Sequence, residues 1–167
     1  MKLREYRAED SAIICSWIKD EESLFKWSAD RIGKFPLEGD ELNKEYAKGL
    51  RRGSHFPLTA VDDDDVPVGH MFIRYPDLND RSRVRFGFVI VSPELRGKGY
   101  GKQMLELAKA YAKEVLKAEK ITLGVFANND SARHCYEAVG FRPVGSEMYK
   151  MSVGEWECIE MMMELRA

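Results

Sequence analysis

The sequence predicts a mixed α/β domain built around a single sheet. Three observations carry that expectation. Val84 to Val91 (Val-Arg-Phe-Gly-Phe-Val-Ile-Val) is a β-branched and aromatic run stopped by Ser92-Pro93, as a largely buried strand should be. The glycine-rich stretch Arg96 to Lys102 follows it and leads directly into an amphipathic helical pattern. Along the rest of the chain, strand-like runs alternate with helical ones to give the order β, α, α, β, β, β, α, β, α, β, β, which is seven strands and four helices.

Lys2 to Tyr6 reads as a short strand with Leu3 on one face. Glu9-Asp10-Ser11 offers capping side chains for a helix through Ile13, Ile14, Trp17 and Ile18. Phe25 to Pro36 mixes aromatics, charges and breakers without a clean period, and reads as irregular. Asp40 would cap a second helix carrying Leu42, Tyr46 and Leu50 and ending at Gly53. Phe56 to Val61 and Val66 to Tyr75 read as paired strands joined by Asp62 to Asp65. Four consecutive acids lack the spaced ligands and glycine turn of a calcium loop, so they read as a solvated hairpin tip. Met104, Leu105, Ala108, Tyr111, Ala112, Val115 and Leu116 mark one apolar helix face. Lys120 to Phe126 is another strand, and Asp130 to Val139 a short helix stopped by Gly140. Phe141 to Met151 and Glu155 to Leu165 are β-rich segments around a turn near Ser152-Val153-Gly154.

A chain of 167 residues is expected to form one domain, residues 1–167. Its 26 basic and 28 acidic residues are balanced, and no basic stripe points to a nucleic-acid partner. Cys15, Cys135 and Cys158 are widely spaced, with no C-x-x-C pair or clustered histidines for zinc, which suits ordinary burial in a reducing cytosol. The N-terminus lacks the apolar core of a signal peptide, and the longest apolar run, Phe86 to Val91, falls far short of a membrane span. A cytoplasmic protein without membrane or metal is expected.

The stretch Arg96-Gly97-Lys98-Gly99-Tyr100-Gly101-Lys102 reads as a phosphate cradle. Glycines let successive amide N–H groups line a concave nest, and the helix that follows adds unpaired N–H groups and the positive end of its dipole. Arg96, Lys98 and Lys102 bring formal positive charge to the same place. The alternative is a turn that merely reverses the chain, with its basic residues in water. Two familiar phosphate loops fail on spacing. Aligned on Gly101-Lys102, a P-loop needs Gly and Ser or Thr where this chain has Arg96 and Gln103, and the G-x-G-x-G pattern is not the G-x-G-x-x-G of a dinucleotide site.

Residues 125 to 141 carry a second pattern, N-x-x-A-x-x-x-Y-x-x-x-G-F, filled by Asn129, Ala132, Tyr136, Gly140 and Phe141. Asn129 and Tyr136 lie about two helical turns apart, on one side of the short helix or at its mouth. Asn129 suits a helix start, where it either caps or also bonds a ligand amide. Tyr136 reads as a core tyrosine or as a site residue. Cys135 reads as small core filling, since its neighbour His134 points elsewhere on a helix.

Together with Arg96-x-x-Gly99-x-Gly101, this second pattern resembles the GCN5-related N-acetyltransferases over nearly the whole chain. The resemblance implies a mostly antiparallel sheet of about seven strands, flanked by about four helices, whose two central strands run parallel and splay apart. It implies acetyl-CoA as co-substrate, with its pyrophosphate on Arg96 to Lys102 and its pantetheine between Val84–Val91 and Lys120–Phe126. Main-chain groups of Val89, Ile90 and Val91 would pair with the pantetheine and hold the developing oxyanion. Tyr136 matches the family tyrosine that donates to the leaving sulfur. Full proton transfer from a phenol of pKa about 10 to a thiolate of about 8.5 is uphill by about 2 kcal/mol, so hydrogen bonding to the thiolate would serve.

Many relatives place a glutamate on the central strand, where this chain has Arg85 and Gly87 instead. Asp20, Glu22, Asp30 and Asp77 are unranked candidates to receive the amine proton through water. Trp17, Phe25, Trp27 and Phe35 would wall an acceptor pocket, and Asp20, Glu21, Glu22 and Asp30 would suit a cationic amine; the alternative places the aromatics in the core and the acids in water. The layout looks like the branch of ribosomal-protein N-terminal acetyltransferases and antibiotic-modifying relatives. The expected activity is acetyl transfer to a primary amine of a small molecule or a protein N-terminus, with a homodimer in keeping with similar proteins. The missing strand carboxylate leaves a non-catalytic acyl-CoA-binding or regulatory module as the alternative, and an ATP phosphate site as a third reading.

Overall fold

The computed structural model describes residues 1–165. Its elements are β1 (Lys2–Glu5), α1 (Asp10–Ser16), α2 (Glu21–Ser28), α3 (Gly39–Arg52), β2 (His55–Val61), β3 (Pro67–Arg74), β4 (Arg83–Val91), α4 (Tyr100–Glu114), β5 (Lys120–Phe126), α5 (Asp130–Val139), β6 (Arg142–Met151) and β7 (Gly154–Glu164). A short 3₁₀ turn, Pro93–Leu95, separates β4 from the glycine loop. The strands form one seven-stranded sheet in the order β1-β2-β3-β4-β5-β7-β6. Every neighbouring pair is antiparallel except β4 and β5. The expected seven-stranded mixed sheet with a parallel central pair is therefore present.

The sheet separates two apolar cores. On one side α4 and α5 cover it, with Met104, Leu105 and Ala108 of α4 and Tyr136 and Val139 of α5 packed against Ile121, Leu123 and Phe86. On the other, Ile14 of α1, Leu24 of α2 and Leu42 and Tyr46 of α3 close over Phe72 and Phe88. Val115, expected on the apolar face of α4, is exposed because the helix ends at Glu114 and turns away.

The helix α2 corrects the irregular reading of Phe25 to Pro36. Asp20 caps it by accepting from the Ser23 amide at 2.7 Å, and Leu24, Phe25 and Ser28 form its buried side. The capping aspartate lies upstream of the segment whose period looked broken, so five α-helices replace the expected four. Two other caps differ as well. Glu9 and Glu38 stand at the starts of α1 and α3 without side-chain cap bonds, and Asp40 lies inside the first turn of α3. The buried Asp10 instead accepts from the Arg7 amide at 2.9 Å, from Thr59 at 2.9 Å and from Arg4 at 2.8 Å. In the acidic hairpin tip, Asp65 pairs with Arg4 and Arg7 at 3.0 Å each, so that residue ties the tip to the N-terminus.

Candidate functional site

The site is made by a break in the sheet. Parallel pairing of β4 with β5 runs only from Arg83–Lys120 to Arg85–Thr122, after which the strands diverge. Divergence leaves main-chain groups of both strands facing a gap, where a ligand's amides find the partners a neighbouring strand would supply. A bulge sharpens the geometry on the β3 side of β4. His70 pairs with Ile90 but Phe72 pairs with Gly87, so the intervening Met71 stands against both Phe88 and Val89. Phe88 takes up the extra residue at φ 51°, held there by rings of Phe72 at 4.8 Å and Trp27 at 5.0 Å. Val89, Ile90 and Val91 line the resulting cleft, which has a volume of about 440 Å³.

The glycine loop forms one end of this cleft. Gly97 at φ 75° and Gly99 at φ 84° adopt the left-handed backbone that non-glycine residues resist. Gly99 is the N-cap of α4 and supplies no side-chain cap, so the first amides of a 15-residue helix remain available to an anion. Arg96, Gly97, Gly99, Tyr100, Gly101 and Lys102 all line the cleft. Lys98 does not: its side chain is exposed outside the lining, which separates it from the rest of the expected cradle.

The opposite wall comes from α5. Asn129 caps this helix, its side chain accepting from the Ala132 amide at 3.4 Å, and it also lines the cleft. Tyr136 is 7% exposed and packs edge-on to Phe141 at 6.0 Å. Among the described residues its hydroxyl has no hydrogen-bond partner, while the residue lines the cleft. Burial pushes its phenol well above the ordinary range, so it holds its proton and serves as a donor. Cys135 lies beside it in the lining, its thiol pushed up by burial, which makes it a poor nucleophile.

A second cavity of about 80 Å³ lies beside the first, and the two share Lys26, Trp27, Phe86, Gly87, Phe88 and Gly124 in their walls. Glycines at this crossing keep the passage narrow in atoms. A Cβ on Gly87 would come within 2.2 Å of the Phe72 ring, and one on Gly124 within 2.9 Å of Arg85 Nη2. Gly124 thereby leaves space for Arg85, projecting from β4 past β5, to reach Glu160 of β7. The pair is bidentate, with contacts of 2.5 and 3.1 Å, and Arg85 also donates to Thr122 at 3.3 Å. Sequence reasoning noted Arg85 but missed Glu160, which reaches it from β7 across Gly124 of the intervening β5, a pairing no local pattern signals.

Much of the expected acceptor pocket is placed elsewhere. Trp17 and Trp27 line the cleft, but Phe25 is buried against Trp156 at 6.4 Å and Phe35 is exposed away from both cavities. Asp20 caps α2, Glu22 pairs with Lys26 at 3.3 Å, Asp77 accepts from Asn79, and Glu21 and Asp30 are exposed. Among the described residues no aspartate or glutamate lines either cavity, so no carboxylate there is placed to take a proton directly.

Residues 14–141 match the Acetyltransferase (GNAT) family. The chain belongs to that family. It is 35% identical to the Escherichia coli K12 spermidine N(1)-acetyltransferase over 153 residues, covering 92% of this chain and 78% of the relative. It is 28% identical to the Vibrio cholerae enzyme of that name over 61% of this chain, an alignment spanning only 58% of the relative's length. A crystal structure of the Vibrio cholerae spermidine N-acetyltransferase in complex with CoA and spermine superposes with a TM-score of 0.80, covering 98% of this chain and 94% of that one at 22% identity. The shared fold is thus that of the GNAT acetyltransferases. These relatives carry polyamine names and do not single out the expected branch of ribosomal-protein N-terminal acetyltransferases.

Proposed function

We propose that the protein is an acetyl-CoA-dependent N-acetyltransferase acting on a primary amine of a small molecule. The observation that supports it most is the cleft whose walls run from the glycine loop, along the β4–β5 gap, to Gly87 and Gly124, which it shares with the second cavity. The family match and the acetyltransferase names of the relatives support the same reading.

In this reading the amides of Gly97 to Gly101 and the start of α4 hold the pyrophosphate, with Arg96 and Lys102 adding charge. Backbone of Val89 to Val91 pairs with the pantetheine, and Asn129 lies along its path. The bulge at Phe88 turns main-chain donors of β4 toward the thioester carbonyl, where they hold the oxyanion of the tetrahedral intermediate. The amine nitrogen, arriving neutral from the second cavity, bonds to the carbonyl carbon; the carbon–sulfur bond then breaks and its electrons pass to sulfur. Tyr136 donates a hydrogen bond to the departing thiolate. Since burial raises its pKa further above that of a thiol, the tyrosine keeps its proton, and the amine's proton leaves to water and returns to sulfur from solvent.

Calorimetric titration with CoA and with ATP, followed by thiol release from acetyl-CoA across a panel of amines, tests this reading. CoA binding in preference to ATP together with amine-dependent thiol release supports it. CoA binding with no release on any amine would favour the passive acyl-CoA-binding module.

A further inference from the structure

The charged residues that line the second cavity are cations, with Lys26 on α2, Arg31 just beyond that helix and Arg85 on β4. Lys26 and Arg85 are balanced by Glu22 and Glu160. Arg31 has no ion pair among the described residues, although its backbone N–H donates a hydrogen bond to the Ser28 carbonyl at 3.2 Å. Arg74 lies outside the lining, directly opposite the lining residue Arg85 in the β3–β4 register and within electrostatic reach of Arg31. Arg74 likewise forms no ion pair among the described residues, and its buried Nε has no hydrogen-bond partner. Burial, reinforced by Arg31 and Arg85, lowers its pKa to about 10, which leaves it charged at neutral pH.

Arg74 thus leaves one donor unsatisfied beside the cavity. Trp27, which lines it, adds another: its Nε1 is buried and unpartnered. His55, stacked on Phe72 at 5.3 Å, is held toward its neutral form by burial and by Arg74, so the local field is positive. The acids around the cavity are committed or stand outside the lining, Glu41 among the latter with its buried Oε2 against Gly33. Glu160 is spent on Arg85, and Glu147, opposite Cys158 on the β6–β7 hairpin, stays exposed outside the lining. A ligand presenting a second ammonium would meet like charge here; one presenting an anion would neutralise Arg31 and Arg74.

We propose that the acceptor is a primary amine that also carries an anionic group, a carboxylate or a phosphate, bound by Arg31 and Arg74. This rests on the acetyl-transfer reading above and names the class of amine it acts on. The anion is unchanged by the reaction: the new bond joins the amine nitrogen to the acetyl carbon, the carbon–sulfur bond breaks, and the amine's proton ends on the thiol of CoA by way of water. The anion sets the position of the amine at the Gly87–Gly124 crossing. Arg31 and Arg74 thus act on the acceptor's selection, in a part of the molecule where the relatives' polyamine names would lead one to look for acids.

The test is thiol release by the full chain with saturating acetyl-CoA and matched acceptors. Glycine is compared with glycinamide, phosphoethanolamine with ethanolamine, and both pairs with spermidine. The anionic member should exceed its neutral partner in kcat/KM by about tenfold or more, mainly through KM, with spermidine poorest. Whichever pair shows the larger ratio identifies carboxylate or phosphate as the group. Arg31→Gln, at an exposed position that should not disturb folding, should cut the ratio to about threefold or less, and Arg31→Glu should raise spermidine above its wild-type rate. Spermidine as the best acceptor, or a ratio unchanged by Arg31→Glu, would overturn the inference while leaving acetyl transfer standing. No thiol release with any amine would overturn both.

Discussion

Replacing Tyr136 by Phe removes one oxygen from a side chain that is otherwise packed on α5 against Phe141. That hydroxyl has no protein partner among the described residues, so its loss should change folding stability by less than about 0.5 kcal/mol. In the proposed mechanism the same oxygen faces a sulfur gaining negative charge in the transition state, and a hydrogen bond to a charged group is worth about 1.5–3 kcal/mol. Converted at about 1.4 kcal/mol per decade, kcat should fall by about 10- to 150-fold. The KM for acetyl-CoA should move little, because the ground-state thioester sulfur is a poor acceptor. Thiol release at saturating amine gives kcat, acetyl-CoA titration gives KM, and thermal unfolding reports stability. A variant that unfolds earlier but turns over within twofold of wild type would return Tyr136 to the core and remove it from the chemistry.

Other perturbations probe the site's frame. Gly99→Ala places a Cβ where nothing lies within 4 Å but forces φ 84° on an alanine; it should cost about 1–2 kcal/mol and weaken CoA binding, read by calorimetry. Gly87→Ala drives a Cβ to 2.2 Å from the Phe72 ring, which Tyr46, His55 and Phe88 hold in place; denaturant melts should show a loss of about 1–3 kcal/mol. His70 is fully buried and shares a 2.5 Å hydrogen bond with the Tyr46 hydroxyl, and burial lowers its pKa from the unfolded 6.5 to about 3. Above pH 6.5 both states are unprotonated and the full stability is present. Below it the unfolded chain takes up a proton that the fold refuses, so stability falls with pH by about 1.4 kcal/mol per unit and levels off near pH 3. Between pH 6.5 and 5 the slope measured by urea melts should be reduced in His70→Gln, and an equal slope in both proteins would exclude His70 as its source.

The order of strands and most helices was legible because the patterns that specify them are local. The apolar run of β4, the glycines with φ above zero and the Asn129 cap each need only a few neighbouring residues to be recognised. What was illegible depends on distance in sequence. The bulge at Phe88 exists because Met71 of β3 stands against two residues of β4, and no feature of 84–91 alone announces that register. The Arg85–Glu160 pair joins residues separated by an intervening strand, and Arg74 meets Arg31 only when β3 and the turn after α2 come together. For the same reason the acids of residues 20–30 looked suited to an amine in sequence, while the fold assigns them to a cap, a helical ion pair and solvent. At the glycine loop Lys98 fits the cradle's spacing, while its exposed side chain stands outside the cleft's lining.

The claim that the β4–β5 gap carries an acetyl group from thioester to amine is tested most directly by counting both products. Thiol from acetyl-CoA and N-acetylated amine, measured together by absorbance and mass spectrometry over one time course, should appear mole for mole and only when amine is present. Thiol appearing at the same rate with and without amine, and no acetylated product, would contradict it.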